Sequence, residues 1–203
     1  MSKKSHQYNR RSIRLKGYDY SQAGMYFITI CVQNRVCLFR EMTDIWALND
    51  AGEMVEKWYW ELENKFLDIK CHEMIIMPNH FHCIVENIGT ASATSATSAA
   101  SAASAASVGA DLCVCPDESI LGESILGEHT GSPLHRVVQW FKTMTTNEYI
   151  RGVKTLGWQP FNGKLWQRNY YEHIIRNDES YQRISEYIIN NPKNWEKDKL
   201  NLQ

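Results

Sequence analysis

Between Thr90 and Ala110 the chain consists almost entirely of Ala, Ser and Thr in a near-triplet repeat, ending Ser101-Ala102-Ala103-Ser104-Ala105-Ala106-Ser107. Such a segment buries too little apolar surface to offset the entropy of holding it in one tertiary position. Ala favours a transient helix, yet a flexible linker is the better reading of this composition. Directly after it, Glu118-Ser119-Ile120-Leu121-Gly122 is repeated as Glu123-Ser124-Ile125-Leu126-Gly127, a short tandem duplication. Residues 90–131 are therefore expected to form a low-complexity, disordered insert. The two flanks must then pack on each other, which makes residues 1–203 a single domain.

The flanks can build a core. The chain has 203 residues, 43% hydrophobic and 22% charged, enough for one globular domain. No apolar run approaches the ~20 residues of a membrane span, and no apolar signal region follows Met1-Ser2-Lys3-Lys4, so a soluble, cytoplasmic protein with no membrane partner is expected. Cys31, Cys37, Cys71, Cys83, Cys113 and Cys115 are scattered and form no C-x-x-C pair. They read as reduced cysteines rather than as a disulfide framework or zinc cluster.

The pattern of the flanks is α+β. Met25 to Val32 is rich in β-formers, and Gln33-Asn34-Arg35 leads into Val36 to Phe39, which predicts a hairpin. Residues 49–66 carry Met54, Trp58 and Leu62 at helical spacing. Ile69 to Met77 and His80 to Asn87 read as strands joined tightly through Pro78-Asn79. A helix is predicted from Leu134 to Ile150 with Ser132-Pro133 at its start. A short strand lies within Leu165 to Ile175, and a last helix runs from an Asp178 cap to about Asn190, where Pro192 stops it. The expected fold class is a ferredoxin-like antiparallel sheet with helices packed on it.

Two features carry chemistry. In Met77-Pro78-Asn79-His80-Phe81-His82-Cys83 a strand would put His80 and His82 on one face and Phe81 and Cys83 on the other. Two convergent neutral imidazoles are half of a divalent-metal site, although the same short pattern also occurs at solvated strand ends. In the last helix, Tyr181, Ile184 and Ile188 form an apolar stripe. Tyr187 and Asn191 fall four residues apart on an adjoining face. An ordinary half-buried core tyrosine and a helix-terminating turn residue are the simpler readings of that pair.

The formal net charge of −1 argues against a general polyanion binder, but it averages over a polarised chain. Residues 1–40 carry eight Lys or Arg against one acid, residues 41–128 three against fifteen, and residues 135–185 eight against four. Solvated faces account for such segments taken singly. Two basic segments bracketing the His pair also suit a phosphate-binding groove.

Five separated motifs resemble one family. They are Arg11-Ser12-Ile13-Arg14-Leu15-Lys16-Gly17-Tyr18-Asp19-Tyr20-Ser21 with Tyr26 to Cys31, then Met77 to His82, then Phe141-Lys142-Thr143, then Leu165-Trp166-Gln167-Arg168-Asn169-Tyr170-Tyr171-Glu172-His173-Ile174-Ile175-Arg176, and finally Tyr187-Ile188-Ile189-Asn190-Asn191-Pro192. In this order they resemble the REP-associated tyrosine transposases, bacterial relatives of single-strand insertion-sequence transposases in the HUH endonuclease superfamily. The resemblance spans nearly all of the chain outside residues 90–131, and the insert departs from it.

That resemblance implies cleavage and strand transfer of single-stranded hairpin DNA, of the repetitive extragenic palindrome kind, by a bacterial, nucleoid-associated protein. It implies Mg²⁺ or Mn²⁺ on His80, His82 and Asn191. Tyr187 would be the nucleophile, forming a 5′-phosphotyrosine and releasing a 3′-OH, and no nucleotide cofactor is needed. Arg10, Arg11, Arg14, Lys16, Arg136, Lys142, Arg168 and Arg176 are candidate DNA contacts, with Lys142 matched to the family's Phe-Lys motif. Tyr170 and Tyr171 are rival nucleophiles. Residues four positions after them, Ile174 and Ile175, cannot be ligands. Two other classes stay open: a domesticated, inactive DNA-binding protein, and a metal-dependent hydrolase using His80 and His82 with Glu73 or Glu86. Monomer and homodimer are both compatible with the sequence.

Overall fold

A computed structural model of the protein describes residues 17–40, 47–89 and 134–201. Arg10, Arg11, Arg14, Lys16, Cys113, Cys115 and the predicted insert lie outside the described residues. The elements are β1 (Gly24–Cys31), α1 (Asp50–Lys65), β2 (Ile69–Met77), β3 (His80–Asn87), α2 (Leu134–Thr155), β4 (Tyr171–Ile175) and α3 (Asp178–Asn190). The four strands form one sheet in the order β2-β3-β1-β4, antiparallel throughout. This is the ferredoxin-like order and fulfils the expected α+β class.

The sheet is covered on both faces. Alternate residues of β1 (Tyr26, Ile28, Ile30) and β3 (Phe81, Cys83, Val85) join Met54, Val55, Tyr59 and Leu62 of α1 and Val137, Val138 and Phe141 of α2 in the larger core. On the other face Phe27, Ile84 and Ile175 pack against α3 through Ile188, with Met25, Ile75, Tyr181 and Ile184 at the margin. A fully buried Ile or Phe contributes roughly 1.5–3 kcal/mol, so the seat of α3 is the thinner of the two. That thin layer is where His80 and His82 emerge, because pleating aims them to the same side as Phe27 and Ile84.

Local sequence explains most boundaries. Asn49 caps α1, its side chain accepting from Gly52 N, and its amide also donates to Leu38 O at 3.0 Å. The tight link through Pro78-Asn79 gives the Met77↔His80 register. Three expectations need correction. Residues 36–39 form no strand: Asn34 and Arg35 adopt left-handed φ of 58° and 54° inside a 3₁₀ turn, Gln33–Arg35, after which Leu38 N and Phe39 N both donate to Pro78 O. With those donors taken, no hairpin ladder forms against β1. The cap of α3 is Asn177, whose side chain accepts from Ser180 N; Asp178 is the first helical residue. The α-helix ends at Asn190 as expected, but the chain does not leave the helical path there, since Pro192 occupies the first turn of a 3₁₀ segment, Asn191–Lys197, where a missing N–H costs nothing.

Candidate active site

His80 and His82 are 0% and 3% exposed, and their Nε2 atoms lie 3.0 Å apart. Burial pushes both imidazoles down to about 3, with Arg35 adding to the effect at His80, and His80 adding to it at His82 against the opposing pull of Asp198. Both rings are therefore neutral at neutral pH, the form that offers a lone pair to a cation. Asn79 Oδ1 meets His80 Nδ1 at 2.8 Å, and Thr29 Oγ1 meets His82 Nδ1 at 2.8 Å. Phe27 stacks on His82 with centroids 5.4 Å apart, and Trp195 lies 6.0 Å from the His80 ring.

The third corner comes from the segment after α3. Asp198 Oδ2 lies 3.6 Å from His80 Nε2, and His80, His82 and Asp198 offer ligand atoms all within 4.8 Å of one another. Asp198 Oδ2 and Asn191 Oδ1 are both buried without a hydrogen-bond partner. Buried oxygens are rarely left in that state. Two neutral imidazoles and orphaned acceptor oxygens suit a hard or borderline divalent cation. The group could thus hold a metal ion. Sequence reasoning missed Asp198 because nothing in Lys193 to Lys199 forms a ligand motif, and only the 3₁₀ path after α3 brings it back over the His pair.

Tyr187 stands at the rim. Its hydroxyl is 3.4 Å from His82 Nε2, its ring lies edge-on to Phe27 at 6.0 Å, and it is 48% exposed. Burial raises its pKa, Asp198 raises it further, and the Asn191 side chain lowers it. The rivals sit elsewhere. Tyr171 pairs with Thr29 across β1, two strands from His82, and Tyr170 lies beneath the Lys142 ammonium, 5.3 Å from Nζ. Glu73 and Glu86 are also engaged away from the pair, Glu73 accepting from the Tyr181 hydroxyl and Glu86 contacting His72 Nε2 at 2.8 Å.

Of the candidate DNA contacts, Arg136, Arg168 and Arg176 are exposed. Arg136 lies on α2, across the sheet from the His pair. Lys142 is placed differently: its Nζ donates to Gln167 O at 3.0 Å and Arg168 O at 3.3 Å, and burial lowers its pKa to about 8. Trp166 Nε1 donates to Thr145 Oγ1 at 2.8 Å. Two of the sequence motifs, around Lys142 and Trp166, therefore meet as a brace between α2 and the segment before β4, with Arg168 projecting from its outer side.

Fold and site together define an α+β protein whose antiparallel sheet carries a buried His pair, with Asp198 beside it and a tyrosine hydroxyl at its edge. The chain is 35% identical over 197 residues to an uncharacterized protein of Haemophilus influenzae, covering 95% of this chain and 93% of the relative. It belongs to the same family as that protein. No family model matches the chain. Among solved structures, a REP-associated tyrosine transposase bound to a REP hairpin superposes with a TM-score of 0.48 at 16% identity, over 91% of this chain and 73% of that one. No described helix is long and apolar enough to cross a membrane.

Proposed function

We propose that the protein cleaves and rejoins single-stranded hairpin DNA through Tyr187, as the resemblance to REP-associated tyrosine transposases implies. The observation that carries the reading is the Tyr187 hydroxyl 3.4 Å from Nε2 of His82, at a buried pair of neutral imidazoles. In this reading the Tyr187 oxygen attacks the scissile phosphorus. The Tyr–O–P bond forms, the bond to the 3′ oxygen breaks, the phenol proton leaves to solvent, and the departing 3′ oxygen takes up a proton as a 3′-OH. The phosphodiester energy is kept in the 5′-phosphotyrosine, so a second 3′-OH can reverse the step and join new ends. A divalent cation, Mg²⁺ or Mn²⁺, held by His80, His82 and Asn191 with Asp198 as a carboxylate ligand, supplies charge neutralisation at the phosphate.

The remaining groups have supporting roles. Phe27, stacked on His82 and edge-on to Tyr187, holds the two rings against each other. Arg168 and Arg176, exposed beside β4, are offered as phosphate contacts, and Lys142 as the brace that sets the Arg168 loop. Placement of the nucleophile and the His pair in one chain supports a site that needs no second subunit.

The test is incubation of the wild type and Tyr187→Phe with end-labelled hairpin DNA and Mn²⁺, followed by denaturing electrophoresis. A covalent adduct in the wild type that is absent in the variant is expected. Persistence of the adduct in Tyr187→Phe would transfer the role to Tyr171 or Tyr170. DNA binding with no adduct in either protein would leave a non-catalytic DNA-binding protein.

A further inference from the structure

The hydrogen bonds around the His pair fix where each proton sits, starting from two backbone carbonyls. Asn79 Nδ2 contacts Arg35 O at 3.2 Å and Leu200 O at 2.9 Å. Carbonyl oxygens only accept, so the amide nitrogen must face them and Oδ1 must face His80. Oδ1 also only accepts, so the proton of neutral His80 is on Nδ1 and its Nε2 carries a bare lone pair. The facing His82 Nε2 is 3.0 Å away. Two bare nitrogens at that distance repel, so His82 Nε2 carries the proton. His82 Nδ1 is then bare and accepts from the Thr29 hydroxyl at 2.8 Å. The polarity runs from the two carbonyls through Asn79, His80 and His82 to Thr29.

In this arrangement only His80 has an unprotonated Nε2, and it accepts from His82, whereas a cation held by both rings needs both Nε2 lone pairs. We propose that Asn79 and Thr29 are positioning residues with opposite tasks: Asn79 locks His80 in the ligating tautomer, and Thr29 lets His82 change tautomer when a cation arrives. The asymmetry follows from chemistry. An amide pinned by two carbonyls cannot reverse its donor and acceptor ends, while a hydroxyl donates or accepts by rotating. On cation binding His82 loses its proton from Nε2 and gains one at Nδ1, staying neutral, and Thr29 Oγ1 turns from donor to acceptor. Partners of this kind orient metal-ligating histidines and typically change metal affinity by about 10–100-fold when removed. The switch half of this inference rests on the metal-binding reading above; the proton assignment does not.

Two measurements on the full-length protein test it. Long-range ¹H–¹⁵N correlation spectra of the metal-free wild type should show His80 protonated on Nδ1 and His82 on Nε2. Titration with Zn²⁺, a diamagnetic probe, should move only the His82 proton, to Nδ1. A metal-free His82 already protonated on Nδ1 overturns the proposal. In parallel, Thr29→Val, nearly isosteric but without the hydroxyl, should bind Mn²⁺ at least about 10-fold more weakly by electron paramagnetic resonance. Its melting temperature reports whether the fold is retained, and Thr29→Ser should restore affinity. Unchanged Mn²⁺ affinity in folded Thr29→Val also overturns it. Should the wild type bind neither cation, the metal reading and the switch fail together, and the metal-free spectrum still decides the proton assignment.

Discussion

Two buried, uncharged imidazoles make pH a probe of the site residue by residue. An unfolded histidine takes up a proton below about pH 6.5, while folded His80 and His82 resist protonation down to about 3. Between those limits the unfolded state binds more protons, so the stability of metal-free protein is full above pH 6.5 and is lost as pH falls toward 3. Each ring contributes a slope of at most about 1.4 kcal/mol per pH unit. Denaturant melts in EDTA from pH 7 to pH 4 check this, and His80→Gln should remove about half of the slope contributed by the pair. A stability that is flat over that range would mean the folded rings take up protons freely. Asp198 gives a second prediction at this scale. Its Oδ2 is buried without a hydrogen bond beside His80, so Asp198→Asn, which keeps the shape and removes the charge, should weaken Mn²⁺ binding about 10-fold or more. Equal Mn²⁺ affinity in titrations of variant and wild type would remove Asp198 from the ligand set.

At the scale of elements, the site depends on how α3 sits on its thin apolar seat. Tyr181, at the start of the helix, donates to Glu73 Oε1 and Oε2 at 3.0 and 2.9 Å, two turns before Tyr187. Glu73 reaches it because strand alternation puts it on the same face as Ile75, toward α3, beside a register shift between Cys71 and Met74 where two residues oppose one. Tyr181→Phe should cost about 1 kcal/mol in stability and should lower the rate of adduct formation by loosening Tyr187 above His82. An unaltered adduct rate with lowered stability would confine Tyr181 to holding the fold.

The elements also show what a sequence can disclose. Strands β2 and β3 and their two-residue link were legible because alternation, β-branched content and Pro78-Asn79 agree. The register shift between Cys71 and Met74 has no local signature. Residues 36–39 look like a strand and are not one, because Pro78 O, distant in sequence, takes the N–H groups of Leu38 and Phe39. Helix α2 runs past the expected Ile150 to Thr155, with Gly152 giving room for the Trp158 ring, a tertiary fit that periodicity cannot reveal. The His pair could be read from spacing, whereas Tyr187 stood out only through the family resemblance. Asp198 could be read from neither, since only the turn of the chain after Asn191 returns it to His80.

For the molecule as a whole, the two ends of the segment between β3 and α2 meet the same short turn. Asn87 Nδ2 donates to Ser21 O at 3.3 Å, Gly89 N donates to Asn87 Oδ1 at 2.9 Å, and Ile88 N donates to Asp68 O. On the other side Leu134 is buried, and its N–H approaches Tyr20 O at 3.4 Å. Adjacent residues Tyr20 and Ser21 thus tie down both flanks, and a short connection can span between them. Among the described residues, the larger core and the seat of α3 draw on both sides of that segment. Replacing residues 90–131 by about six Gly and Ser residues should therefore leave one cooperative thermal transition. Closing a loop costs about 0.6 kcal/mol less for each halving of its length, so the midpoint should stay level or rise by a few degrees, and Mn²⁺ affinity should not change. Calorimetry of the shortened chain decides the matter. Loss of the transition would mean that residues 90–131 supply packing to the body.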